Sequence, residues 1–198
     1  MAAPVEKKLS EIGDGIFAYT QLPGSWGWSN AGLIVDGGQT LLVDTLFDLK
    51  HTGAMLDAMG RAVPAARRID TVVNTHGNGD HCYGNALLPQ SEIIGTRGCV
   101  EDLAESPPSQ INLLLTAGRV VKSLGGGGRL IGSVLSKFGI HRVAFLSEAA
   151  SLALPAFEHF DFSGIESVPP NRVFEGELEL RVGDKEVRLL ELGPAHTK

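Results

Sequence analysis

Two apolar runs containing β-branched residues, 31–35 and 40–44, flank the turn Asp36-Gly37-Gly38-Gln39. That pattern predicts a β-hairpin. A weaker strand pattern, 15–19, precedes it after the Asp14-Gly15 turn. Asp48 is placed to cap a helix whose apolar positions Leu49, Leu56, Met59 and Val63 recur near the 3.6-residue period, with Pro64 ending it. Residues 69–75 read as a buried strand, Leu87 and Leu88 suit a short helix, and 92–96 reads as another short strand.

From about residue 97 to 160 the character changes. Pro107-Pro108 breaks the chain; 111–124 and 129–138 look helical, with Gly125 to Gly128 as a hinge, and a further apolar segment runs over 143–160 around Pro155. This stretch is expected to be a helical insertion in an otherwise mixed α/β (α+β) domain. Apolar and polar residues alternate again over 176–182, Gly183-Asp184-Lys185 turns the chain, and 186–192 pairs back. There is no internal repeat at solenoid period.

Composition narrows the classes. A chain of 198 residues with 43% apolar and 20% charged residues suits one soluble, globular domain. The net charge of −6 and the absence of a Lys/Arg cluster argue against nucleic acid as a partner. Residues 1–10 lack the apolar core of a signal sequence, and no window has the length of a membrane span, so cytoplasm is the expected address. Cys82 and Cys99 form neither a CxxC pair nor a spaced framework, and disulfide stapling is not expected.

The chemistry concentrates in His76-Gly77-Asn78-Gly79-Asp80-His81, directly after the 69–75 strand. Imidazole and carboxylate are the donors that zinc and similar ions accept. Between them stand two glycines, whose conformational freedom lets a tight loop aim several side chains at one point. Asp80 is expected to cap the following helix while a second oxygen reaches a metal. A solvated turn is the plainer alternative, but two His, an Asp and an Asn after a buried strand favour metal binding.

At these residues the chain resembles the metallo-β-lactamase superfamily, whose loop reads His-x-His-x-Asp-His after a buried strand. Leu41-Leu42-Val43-Asp44-Thr45 looks like that family's early strand ending in an acidic residue. Phe174-Glu175-Gly176 through Val182 looks like its later hairpin, and Gly193-Pro194-Ala195-His196-Thr197 like its Gly-x-x-His-Thr segment. The matches run in the family's order from about residue 12 to the last residue. The resemblance implies an αββα sandwich with a metal site at one edge of its two sheets. By position, His76, Asn78 and His196 hold one metal, while Asp80 and His81 match the holders of a second. Asp80 is the expected catalytic group, orienting a metal-activated water and passing a proton to the leaving group. Asp44 is expected to accept a hydrogen bond from a ligand imidazole.

Two departures qualify the resemblance. Asn78 stands where the family usually has its middle His, and a neutral amide oxygen weakens a zinc site, leaving manganese or iron open. The chain stops two residues after His196, before the family's bridging Asp and final His. The expectation is therefore a single incomplete domain over 1–198, its C-terminal part missing and its sheet edges open to pairing. One or two metal ions, zinc foremost, are the expected cofactor. The expected function is a metal-dependent hydrolase attacking the carbonyl of a small-molecule thioester, lactone or lactam. An iron-dependent oxidoreductase of the same superfamily, or a catalytically incomplete metal-binding fragment, are the alternatives. A homo-oligomer formed through the insertion or the open edges is a further expectation.

Other suggestive residues read more plainly. Gly125 to Gly128 lack a following Gly-Lys-Ser/Thr and read as a hinge. Cys82 reads as a packing residue, since a nucleophilic Cys needs its base across space. His51, His141 and His159 lack ligand spacing and read as solvated or core histidines. Trp26 and Trp28 fit either a substrate-pocket wall or core packing.

Overall fold

The computed structural model describes residues 5–123 and 156–193. The chain divides into two compact units, one formed by 1–107 with 164–198 and the other by 108–163.

The first unit is built on one alternation. β1 (Glu6–Gly13), β2 (Ile16–Leu22), β3 (Ala31–Asp36), β4 (Gln39–Val43), β5 (Thr71–Val73), β6 (Glu92–Thr96) and β7 (Arg172–Phe174) form a seven-stranded sheet in sequential order. The first four pair antiparallel, and β4 through β7 run parallel. In the parallel half Leu42 pairs with Val72 and Val72 with Ile93, while Val43 pairs with Val73 and Val73 with Ile94. Successive residues point to opposite faces of a strand, so these two rows serve two different cores. Leu42, Val72 and Ile93 pack with Met55 and Met59 of α1 (Leu49–Ala62). Val73 and Ile94, with Leu41, pack against Val182 and the half-buried Leu178, Leu180, Val187 and Leu189. The last five come from a second sheet, the hairpin β8 (Glu177–Val182) and β9 (Lys185–Leu190). Full burial of Leu33, Leu42, Met55 or Met59 is worth about 1.5–3 kcal/mol each.

The layers therefore run helix, large sheet, second sheet, which are three of the four layers of an αββα sandwich. The hairpin turn docks on the β3–β4 turn. Gly183 N donates to Gln39 Oε1 at 2.8 Å and Asp184 N to Asp36 Oδ2 at 2.6 Å. Gly183 has φ +58, and a Cβ there would sit 2.4 Å from Asp36 Oδ2, so both backbone conformation and space require glycine.

α1 starts at the expected cap: Asp48 accepts from His51 N at 2.6 Å. Its buried face is His51, Thr52, Met55, Met59 and Gly60, shifted from the stripe that the apolar residues alone mark. Residues 69–75 contribute only the three-residue β5; Asn74 adds one further bond to the ladder, from its N to Ile94 O, and Thr75 leads on into the loop. α2 (Gly79–Cys82) and a 3-10 helix (Tyr83–Leu87) follow. α3 (Arg97–Glu105), capped by Thr96, packs on β6 within the first unit. β1 and β7 have no counterpart among the sequence expectations.

The second unit contains α4 (Pro108–Ser123) and an aromatic trio in which the Phe157, Phe160 and Phe162 ring centroids lie 6.0–6.5 Å apart. The expected hinge at 125–128, the helix at 129–138, most of the 143–160 segment, and His141 lie outside the described residues, as does His196. Among the described residues no helix is long and apolar enough to cross a membrane.

Candidate metal centre

Because β4 and β5 run parallel, their C-terminal ends lie side by side, and the residues that follow them meet. Asp44 follows β4 and Thr75-His76 follows β5. The ladder runs one step past each strand, with Asp44 N donating to Val73 O and Asn74 N to Ile94 O, both at 2.9 Å. Asp44 then bends into the left-handed region, φ 61, which turns its carboxylate toward the loop.

That carboxylate is buried and collects three donors. Thr75 N lies at 2.8 Å from Oδ1, Thr75 Oγ1 at 2.7 Å from Oδ2, and His81 Nδ1 at 2.8 Å from Oδ2. The expected contact between Asp44 and a loop imidazole is thus present. It directs the Nδ1 proton to Asp44 and leaves Nε2 as the lone-pair nitrogen. His81 Nε2 in turn lies 3.5 Å from Asp80 Oδ2, so the ring sits between two carboxylates. Burial, the largest single influence, lowers the His81 pKa, but the Asp44 hydrogen bond and the charges of Asp44 and Asp80 together raise it above its ordinary value. The His76 ring packs against that of His81 with centroids 4.1 Å apart, and its Nδ1 lies 2.9 Å from Thr75 Oγ1.

The backbone beneath the loop is held by polar side chains that the sequence did not single out. The His81 carbonyl oxygen receives Thr45 N at 2.9 Å, Thr45 Oγ1 at 3.1 Å and Asn74 Nδ2 at 3.0 Å. Asn85, fully buried, donates from Nδ2 to Asn74 Oδ1 at 2.8 Å and to Val168 O at 2.9 Å. Ser29 Oγ donates to the Asp80 carbonyl. The one signal in the sequence is Asn74, a buried amide directly after the apolar pair Val72-Val73.

Two expectations about the loop change. Asn78, not Asp80, stands at the N-cap of α2, and Asp80 lies in its first turn, because the helix begins earlier. Gly77 and Gly79 are not left-handed; they are glycines for lack of room. A Cβ on Gly77 would lie 2.5 Å from Cys99 O and 2.9 Å from Leu103 N, and one on Gly79 2.4 Å from the Tyr83 ring. Tyr83 donates its hydroxyl to Ser106 O at 2.6 Å, and burial pushes its pKa well up.

Around the loop, Trp26 is exposed and Trp28 half-buried. Trp28 packs edge-on against His51 at 5.1 Å between centroids, beneath Lys7 at 5.6 Å from its ring. His51 is a buried histidine held to Asp48 Oδ1 at 2.8 Å by Nδ1, while His159 is largely exposed. Cys82 is buried, as its packing role requires.

The loop donors His76, Asp80 and His81 are in neighbouring pairs, and their chemistry suits a divalent ion. Among the described residues, however, no three His, Cys, Asp or Glu side chains converge closely enough to hold one. The donor types and the Asp44–His81 bond fit a metal, and the described residues alone do not close a ligand set around one.

The model of the metallo-beta-lactamase superfamily matches residues 24–198. The chain belongs to the metallo-β-lactamase superfamily. Two solved metallo-β-lactamase structures are among those similar to it. One, from Erythrobacter litoralis with β-mercaptoethanol in its active site, is 24% identical, with a TM-score of 0.42; the match covers 50% of this chain and 46% of that one. The other, TMB-1, is 18% identical with a TM-score of 0.41, covering 52% of this chain and 48% of that one. The match thus spans about half of either solved metallo-β-lactamase.

Proposed function

We propose that this metallo-β-lactamase-superfamily chain works as a metal-dependent hydrolase, in which His76, Asn78, Asp80, His81 and His196 supply the ligands. Superfamily membership supports the reaction class. The observation that carries the residue assignment is His81, oriented by Asp44 so that Nε2 and the Asp80 carboxylate face one another. Bound there, a divalent ion, zinc foremost, supplies the Lewis acidity that makes a nucleophile of water near neutral pH and polarises the attacked carbonyl. The protein's own part is orientation and proton traffic. Asp44 fixes the His81 tautomer, Thr45 and Asn74 hold the His81 backbone, and Asp80 is the group to orient the attacking water and carry its proton to the leaving group. The small-molecule substrate is one with an ester-like or amide-like carbonyl: a thioester, lactone or lactam. Asn78 in place of an imidazole makes the first site looser for zinc and more open to manganese or iron.

The test is metal analysis of protein purified without added metal, followed by hydrolysis of chromogenic thioester, lactone and lactam substrates after loading with zinc, manganese or iron. Asp80→Asn is expected to abolish turnover while metal is still bound, and His196→Ala to lower metal content. Absence of hydrolysis with every metal, or oxygen uptake with a persulfide substrate instead, overturns the hydrolase reading.

A further inference from the structure

An open cavity of about 390 Å³ lies beside the C-terminal half of α1. That volume is in the range of small-molecule pockets. Ile69, in its lining, precedes β5, and Leu87 and Leu88 precede β6, so the cavity sits toward the N-terminal ends of these parallel strands. The loop donors follow the opposite end of β5. Ala66, Ile69 and Leu88 belong to the main core, and the half-buried Leu56 packs against it. Leu87, 39% exposed, carries the apolar lining out to the surface. The 3-10 turn Pro64–Arg67 supplies another side, and Gly60 lets it press on α1. A Cβ on Gly60 would lie 3.1 Å from Arg67 Cγ and 3.5 Å from Arg67 Cα. The charged lining residues are Asp57, Arg61 and Arg67, all exposed. Arg68 next door is held to Asp70 at 3.5 Å, but among the described residues neither Arg61 nor Arg67 has an ion pair or a hydrogen bond.

We infer that this cavity binds a small amphiphilic monoanion, a medium-chain carboxylate, with its tail on the apolar lining and its head at Arg61 and Arg67. A tail lying on Leu56, Ile69, Leu87 and Leu88 removes apolar surface of both partners from water. The two guanidiniums offer planar donor forks that match a carboxylate. Asp57 precedes Arg61 by four residues and so lies on the same side of α1. Two arginines against one aspartate leave the lining with a net charge of +1, which one carboxylate neutralises. A cationic head would meet two like charges there. Asp57 also competes with the ligand for Arg61, so it sets the affinity from the opposite direction to the arginines.

No lining residue belongs to the metal centre, so the site stands or falls independently of the hydrolase reading. The test titrates octanoate into the full chain by calorimetry, without added metal, with butanoate, octanol and octylammonium as comparisons. Octanoate is expected to bind one per chain, about tenfold tighter than octanol or octylammonium. Each CH2 added between butanoate and octanoate is expected to tighten binding about threefold. Arg61→Gln and Arg67→Gln should each weaken octanoate about fivefold, and Asp57→Asn should tighten it about twofold. All three side chains are exposed, so the thermal midpoints of the variants are expected to match the parent's. The methyl resonances of Leu56, Ile69, Leu87 and Leu88 should shift on addition, while the amide resonances of 76–81 do not. Absence of saturable octanoate binding overturns the site, as does binding that leaves those four methyls unmoved. Octanol binding as tightly as octanoate overturns the anionic head. Octylammonium binding more tightly, and losing affinity in Asp57→Asn, means that the cavity takes a cation instead and overturns the carboxylate.

Discussion

Replacing Asp44 tests both the stability and the chemistry of the loop. Its carboxylate accepts from Thr75 N, Thr75 Oγ1 and His81 Nδ1 at 2.7–2.8 Å and is almost fully buried. A hydrogen bond to a charged group contributes about 1.5–3 kcal/mol. Thr75 is exposed, so water replaces part of what its two donors lose. The expected cost of Asp44→Ala is therefore about 3 kcal/mol, well below three times the single-bond figure. Asp44 also sits at φ 61, a conformation that costs a residue with a Cβ about 1 kcal/mol relative to glycine. Asp44→Gly should consequently recover about 1 kcal/mol over Asp44→Ala, although both lose the same carboxylate. Asp44→Asn separates stability from function. Its amide oxygen still accepts from Thr75 N, but its NH2 faces His81 Nδ1, which must then accept. The imidazole proton moves to Nε2, the nitrogen a metal needs. The expected cost is about 1 kcal/mol in stability and on the order of 10–100-fold in zinc affinity. Urea unfolding of the metal-free variants measures the first, and competition with a chromophoric chelator the second. An alanine variant within about 0.5 kcal/mol of the parent, a glycine variant no better than alanine, or an asparagine variant that holds zinc as tightly as the parent would each refute the reasoning.

Three further outcomes follow from the same geometry. Gly77→Ala drives a Cβ into the α3 backbone, 2.5 Å from Cys99 O, and should lower stability by about 2 kcal/mol or more; an unchanged thermal midpoint would show that the loop can move away from α3. Asn85→Ala leaves Asn74 Oδ1 and Val168 O without their Nδ2 donor, a buried loss of about 2 kcal/mol visible in the urea midpoint, with faster amide exchange expected at residues 74–82. Tyr83→Phe removes the 2.6 Å bond to Ser106 O while keeping the ring stacked on Phe47 at 5.7 Å, and should cost only about 1 kcal/mol; a loss several times larger would mean that the hydroxyl does more than this one bond.

The sequence by itself determined what depends on near neighbours. The hairpin at β3–β4, the Asp48 cap of α1, the strand at 92–96 and the hairpin at β8–β9 were legible because alternation and turn residues act within a few positions. The cluster of donors at 76–81 was legible for the same reason: the residues are consecutive. β1 was not legible, because its Glu6-Lys7-Lys8 start has the charged character that protects a sheet edge, and it becomes a strand through its pairing with β2. β7 is three residues held in place by the parallel ladder of β6. Only the tertiary structure decided how the loop is supported, because the parallel alignment of β4 and β5 is what brings Asp44, Thr45, Asn74 and Asn85 to one point. It also gave Gly77 and Gly79 a different reason from the one their composition suggests: closeness to α3 and Tyr83 rather than left-handed backbone.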